Sequence, residues 1–363
     1  MKVVYVLSAI DYSGAEIVLE RFLNDNKDIK PIFVCIYRNE RVVKKLKENY
    51  NEVYELGLEL VPNILRFIPW IDINRVEKKL ISLLSSIQFD IIYANNTIEA
   101  LLVSKFVKKN RVKSIAHIHD MKESIKSPIR KYYTSIVLNY YDKIITPSIA
   151  TKNQWNNDNI VTVYNGLKSD FFINDKKNYT EIRNIGFIGG LSKRKGIDEF
   201  IACIETLVDK NCEIYVATRD IESKYYSQIK EISSKYSQVK LYVDLDTDEI
   251  VNLLDKLDLL VVPSRFDPLP TVIMEATARK TLVLGRAIDG IPEMISDSKF
   301  LYTDKMINKV LEIKDMNREE LQASSERMFD YTQRKFLSSY NQQLLLGVYA
   351  DVLKNHRETH HGG

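Results

Sequence analysis

The chain has 363 residues, 45% hydrophobic and 28% charged, with a formal net charge of +3. That length exceeds one ordinary core and implies about two domains, while the small net charge excludes a whole-chain electrostatic case for nucleic acid. No apolar run reaches the ~20 residues of a membrane span. Cys35, Cys203 and Cys212 form neither a metal nor a disulfide pattern, which fits a reducing, cytoplasmic setting.

The opening "MKVVYVLSAIDYSG" lacks the apolar core and cleavage site of a signal peptide and reads as a first strand. Strand candidates follow at "VVYVLSA" (3–9), "PIFVCIY" (31–37), "FDIIYANN" (89–96), "KSIAHIH" (113–119) and "DKIITPS" (142–148), with helical patterns over 15–24, 72–87 and 97–109. Short apolar runs with little alternation fit strands covered on both faces, and their alternation with helices implies βαβ units in a parallel sheet. The polar stretch 167–184 reads as a linker. Beyond it the pattern restarts with "IGFIGGL" (185–191), "CEIYVAT" (212–218), "VKLYVDL" (239–245), "LDLLVVPS" (257–264) and "TLVLGRA" (281–287). Two doubly wound α/β domains in series are expected, 1–168 and 169–333. A last helix over 334–355 is long enough to return to the first domain. The ending "HRETHHGG" reads as a frayed tail or an expression remnant.

Open α/β sheets bind ligands beyond the carboxyl ends of their strands, so the loops there carry the functional search. In "AIDYSGAEIVLERFL" (9–23), Gly14 permits close backbone approach, although one glycine is a weak signal. Segment 105–133 is rich in Lys, Arg and Tyr; contact with an anionic membrane and a plain solvated basic helix pair are equally open. "SIAHIHDMKES" (114–124) holds His117 and His119, which are expected to face opposite sides of a strand, with His119 nearer its carboxyl end. In "IGFIGGLSKRKGIDEF" (185–200), Gly189 and Gly190 admit a ligand to the backbone, Arg194 and Lys195 supply positive charge, and the next helix adds its amides. A phosphate suits this loop; a glycine turn with a solvated basic loop is the other reading. The Asp-x-Asp in "DLDTDE" (244–249) could hold a metal, but Asp246, Thr247 and Asp248 read better as helix caps.

"PSRFDPLPTVIMEATARK" (263–280) is the most informative loop. Pro268 and Pro270 shape a turn, Thr271 can cap a helix starting near Val272, and the first amides form a second anion site. Glu275 stands among Val272, Ile273, Met274 and Ala276, so its carboxylate needs a partner, and a ribose diol supplies two donors. Asp267 is either functional or a turn-forming residue.

Taken with "SGAEIVL", "HIHD", "DKIITPS", "VTVYNGL" and "GGLSKRKG", the run "PSRFDPLPTVIMEATARKTLVLGRAIDGIPEMI" resembles the retaining glycosyltransferases of the GT4 type. The likeness extends nearly end to end. It includes an acid-x7-acid motif at Asp267 and Glu275 and a Gly-x-Pro-Glu turn at Gly290, Pro292 and Glu293. The resemblance implies a GT-B fold, with two Rossmann-like domains facing a central cleft. It implies a UDP- or GDP-linked sugar as donor, a glycan or lipid-linked acceptor, and no cofactor or metal. By position, Glu275 would hold the ribose and Lys195 the diphosphate. Leu269, Pro270, Thr271 and Val272 would line the phosphates and sugar, and Gly14 and Gly190 would approach the phosphates. Asp267 would face sugar hydroxyls, and His119 the anomeric carbon. The family often has Arg at the place of Gly190, for which Arg194 would substitute, and its first acid is usually Glu rather than Asp. Expected products are bacterial surface polysaccharides or lipid-linked oligosaccharides. A nucleotide-sugar epimerase and a catalytically inactive partner subunit share the cleft and are the alternatives.

Overall fold

A computed structural model describes residues 1–10, 14–59, 69–125, 127–173, 175 and 177–354. Ser13 of the glycine loop and the 356–363 tail lie outside the described residues. The chain folds as two compact units, Met1–Tyr164 with the segment from Gln342 onward, and Asn165–Asn341. The sequence reading put the first change at 168/169 and the return at 334; the units change at 164/165 and 341/342.

Unit 1 runs β1 (Lys2–Leu7), α1 (Gly14–Asp25), β2 (Lys30–Tyr37), α2 (Glu40–Asn49), β3 (Val53–Leu58), α3 (Pro69–Leu84), β4 (Ile91–Ala94), α4 (Thr97–Asn110), β5 (Ser114–His117), α5 (Pro128–Val137), β6 (Lys143–Thr146), α6 (Ile149–Trp155) and β7 (Ile160–Thr162). The sheet order is β3-β2-β1-β4-β5-β6-β7. Its pairings are parallel; Val4 stands opposite Ile32 and Ile92. Alternate residues feed two cores. Val4, Val6, Ile32, Val34 and Ala94 pack with Val76 of α3 and Val103 of α4, while Tyr5, Phe33, Tyr93 and Ile115 pack with Phe22 of α1 and Val42 of α2. Burial on both faces is why these strands read as unbroken apolar runs.

Unit 2 repeats the plan with β8 (Asn184–Ile188), α7 (Ile197–Asp209), β9 (Glu213–Thr218), α8 (Lys224–Lys235), β10 (Val239–Val243), α9 (Thr247–Lys256), β11 (Leu259–Val262), α10 (Thr271–Ala278), β12 (Leu282–Arg286), β13 (Leu301–Tyr302), α11 (Met306–Lys314) and α12 (Arg318–Phe336). The order β10-β9-β8-β11-β12-β13 puts the switch of direction between β8 and β11. There, the loops after neighbouring strands diverge and leave room for a ligand. α13 (Ser338–Lys354) begins in unit 2 and continues into unit 1. Leu345, Val348, Tyr349 and Val352 complete the second core of unit 1.

Two expectations need correction. The stretch 167–184 is no free linker: Leu167, Phe172, Tyr179 and Ile182 are buried, and Tyr179 donates to the Lys280 carbonyl at 2.8 Å. The single helix over 334–355 is two helices broken at Leu337. Leu167 N donates to Phe336 O at 2.8 Å and Ser338 N to Leu167 O at 2.7 Å. This short parallel bridge takes the backbone groups that a continuous helix would use.

Candidate active site

In unit 2 the loops after β8 and β11 are tied together. Gly196 ends the first loop with φ 75, and a Cβ there would stand 2.0 Å from Pro263 O. Only glycine allows both that conformation and that approach. Arg265 N donates to Arg194 O at 2.8 Å. The Arg265 guanidinium forks onto Asp198 at 2.6 and 3.0 Å and also reaches Lys193 O at 2.7 Å. Burial alone would raise the Asp198 carboxyl; the Arg265 bonds outweigh it and hold the group below its ordinary value.

This frame holds the basic residues in place. Lys195 Nζ lies 2.6 Å from Asp267 Oδ2, which also accepts from Ser264 Oγ at 3.3 Å. Asp267 is buried, whereas the Lys195 side chain is partly exposed. Arg194 is exposed and donates to Phe266 O at 3.2 Å. Asp267 N donates to Asp289 Oδ2 at 2.9 Å, and Gly290 N to Asp267 O at 3.3 Å. The Gly-x-Pro-Glu turn, a short 3-10 turn at Ile291–Glu293, therefore closes on the first acid of the motif. Gly189 has φ 148 with open space where a Cβ would point, and a Cβ on Gly190 would stand 2.8 Å from Asp220 Oδ2. That oxygen accepts from Leu191 N at 2.8 Å.

Pro270, not Thr271, occupies the cap position of α10, and no side chain caps the helix there. Pro270 has taken the cap place, so Thr271 becomes the first helical residue, exposed with Val272 half-buried behind it. The amides of Thr271 and Val272 precede any carbonyl that could accept them within the helix. Leu269 is buried beneath them. Glu275 is half-buried between buried Met274 and Ala276, one turn into the helix. Ser264, Arg265, Asp198, Asp220 and Asp289 were missed by the sequence reading; the Asp-Gly pair at Asp289 and Gly290 was their one local signal. Asp246 caps α9 in a box with Glu249, both bonds 2.9 Å.

In unit 1, Gly14 opens α1 and Glu16 is buried in its first turn. The expectation that His117 and His119 face opposite sides fails. β5 ends at His117, and the two rings lie 3.9 Å apart, tilted by 34°. Alternation puts successive residues on opposite faces of an extended chain, so residues two apart, as these are, share one face. Tyr93 Oη lies 2.7 Å from His117 Nδ1. Nε2 of both histidines is buried without a hydrogen-bond partner. Burial, then the neighbouring His119, pushes His117 well below the ordinary value, and burial takes His119 down to about 4. Both rings are therefore neutral at pH 7. In the basic segment, Lys105 and Lys109 bond Glu77 at 2.6 and 2.8 Å, so part of its charge is paired within the unit. Lys126 of that segment lies outside the described residues, and no helix among the described residues is long and apolar enough to cross a membrane.

Residues 168–334 match the family model of glycosyl transferases group 1, and residues 39–171 that of glycosyltransferase family 4. An uncharacterized glycosyltransferase of Methanocaldococcus jannaschii is 26% identical over 314 residues, covering 78% of this chain and 84% of that protein. An uncharacterized 41.2 kDa protein in the cps region of Klebsiella pneumoniae is 25% identical over 254 residues, 63% of this chain and 69% of the other. Among solved structures, Anabaena HepE in complex with UDP and glucose superposes with a TM-score of 0.76 at 15% identity, over 97% of this chain and 100% of that one. At such identity the likeness speaks to the fold, two parallel-sheet α/β domains of seven and six strands. The chain belongs to the GT4-type glycosyltransferases of GT-B fold.

Proposed function

We propose that this glycosyltransferase moves a sugar from a UDP- or GDP-linked donor to an acceptor hydroxyl, with retention of anomeric configuration and without a metal. The observation that carries the reading is the frame of Gly196, Arg265 and Asp198, which fixes Lys195 beside Asp267 at the switch point of unit 2. A diphosphate at this point would meet the Lys195 ammonium, the Arg194 guanidinium and the first amides of α10. As the glycosidic bond breaks, negative charge grows on the diphosphate, and fixed cations and oriented amides stabilise it without reorganising. Asp267, bonded to Lys195, would hold it in position and take a sugar hydroxyl. Glu275 would accept from both hydroxyls of the ribose. His119, neutral at pH 7, would lie near the sugar ring without opposing the positive charge that develops there.

The acceptor we favour is a glycan or lipid-linked sugar of a bacterial surface polysaccharide, a reading supported by the relative in the Klebsiella cps region. Exposed Lys108, Arg111 and Tyr132 offer a peripheral membrane contact for such an acceptor. The test is slow hydrolysis of UDP- and GDP-sugars without acceptor, run with and without EDTA. Release of nucleotide diphosphate in both conditions is expected. Loss in EDTA restored by Mn²⁺ would overturn metal independence, and no turnover of any nucleotide sugar, despite nucleotide binding, would point to an inactive subunit.

A further inference from the structure

A second group of polar side chains lies wholly inside unit 1, at the carboxyl ends of β1 and β4. Asn95 follows β4, and Thr97 and Glu99 are the first and third residues of α4. They are 1%, 4% and 1% exposed. Even so, both side-chain polar atoms of Asn95, Oγ1 of Thr97 and Oε2 of Glu99 have no hydrogen-bond partner. Glu99 Oε1 accepts from Ser8 N at 2.6 Å, and the next residue, buried Ala9, sits in the left-handed region at φ 59. Folded proteins keep few unbonded buried polar atoms, because each is costly. Here four sit on three nearby side chains. They stand where the sheet changes direction, between β1 and β4, and beside a strained turn of the kind that gathers at functional sites.

We propose that Asn95, Thr97 and Glu99 form a subsite for a neutral polyhydroxyl ligand, the ring of an acceptor sugar. An amide that donates and accepts, a hydroxyl that does both and a carboxyl oxygen suit vicinal hydroxyls. An anion is disfavoured, because the outside charge acting on Glu99 is that of another acid, Glu16. A metal ion is disfavoured too: among the described residues no three His, Cys, Asp or Glu side chains gather to hold one. The atoms lie beneath the surface, so the ring enters with a shift of the Ser8–Ile10 turn. Only the word acceptor rests on the proposed transfer reaction.

The experiment is ligand-observed NMR of the full chain with methyl glucoside, methyl galactoside and methyl mannoside, alongside UDP and GDP affinities on the same samples. Saturation transfer to at least one glycoside is expected. Asn95→Leu and Thr97→Val should each weaken that binding about tenfold or more and leave nucleotide affinity alone. Both should also melt at the same or a higher temperature than the parent, because each removes polar atoms that lack partners. No signal from any glycoside, unchanged binding in both variants, or a lower melting temperature in both would overturn the subsite. A chain that shows the expected glycoside pattern but binds neither UDP nor GDP would overturn the donor reading and leave the subsite standing.

Discussion

Glu275 gives the sharpest single-residue prediction. Its half-buried place one turn into α10 suits a carboxylate that accepts from a diol, and charged hydrogen bonds of this kind contribute roughly 1.5–3 kcal/mol. Glu275→Gln should therefore weaken UDP or GDP binding about tenfold or more by calorimetry, with the melting temperature nearly unchanged; equal affinity would remove it from the ribose site. His119→Ala should lower turnover about a hundredfold, the scale of one important polar contact, without weakening the nucleotide alone. Glu99 and the histidines pull the pH dependence in opposite directions. Burial raises the Glu99 carboxyl from 4.5 to about 7, so its contribution is full below 4.5 and is lost as the pH rises through 7. His119 falls from 6.5 to about 4, so its contribution is full above 6.5 and is lost as the pH falls toward 4. Glu99→Gln keeps an oxygen for Ser8 N and should raise the melting temperature at pH 8 by a few degrees, roughly the scale of 1 kcal/mol. That gain should shrink toward zero near pH 4.5; a gain that does not vary with pH would show that the carboxyl ionises normally.

Among the elements, the contact between the loops after β8 and β11 depends on Gly196. Gly196→Ala would force a Cβ against Pro263 O in a conformation that favours glycine, at about 1–3 kcal/mol of strain. We expect a lower melting temperature together with weaker nucleotide binding, measured on the same preparation. Binding that survives intact would separate the loop frame from the donor site. The central strands were legible because they are buried on both faces, and the α9 cap because its Asp246 and Glu249 are local signals. The short edge strand β13 was not, since two residues, Leu301 and Tyr302, carry no periodicity. Nor was the break at Leu337, which has no Pro or Gly and depends on backbone bonds to Leu167, 170 positions away. At the site, the sequence showed the charges of Lys195 and Asp267 but not that they pair. Residues 72 apart meet only because β8 and β11 are neighbours. The closeness of His117 and His119 was legible, since residues two apart share a face of an extended chain, and expecting them on opposite sides misapplied the alternation.

For the whole molecule, the returning segment matters most. Tyr349 is buried, stacks on Phe22 at 5.9 Å and on Tyr93 at 5.8 Å, and lies 3.0 Å from Tyr5 through its hydroxyl. Tyr349→Ala should cost about 3–5 kcal/mol, the range for emptying a large aromatic site, and should fall on unit 1. Hydrogen exchange would check this, with loss of protection expected in β1, β4 and α1 and little change in β8 and β11. The same segment bears on how the chain is made. Domains are generally thought to fold in order as they leave the ribosome, amino-terminal first. Here the amino-terminal unit lacks part of its core until the residues from Gln342 onward have been synthesised, whereas the second unit is one uninterrupted stretch. The later-made unit would thus be the first that can finish folding. During that interval the aromatic face of Tyr5, Phe33 and Tyr93 would stay open to chaperones, so a released chain truncated after residue 341 should be cut by protease within the first 164 residues while the second unit resists.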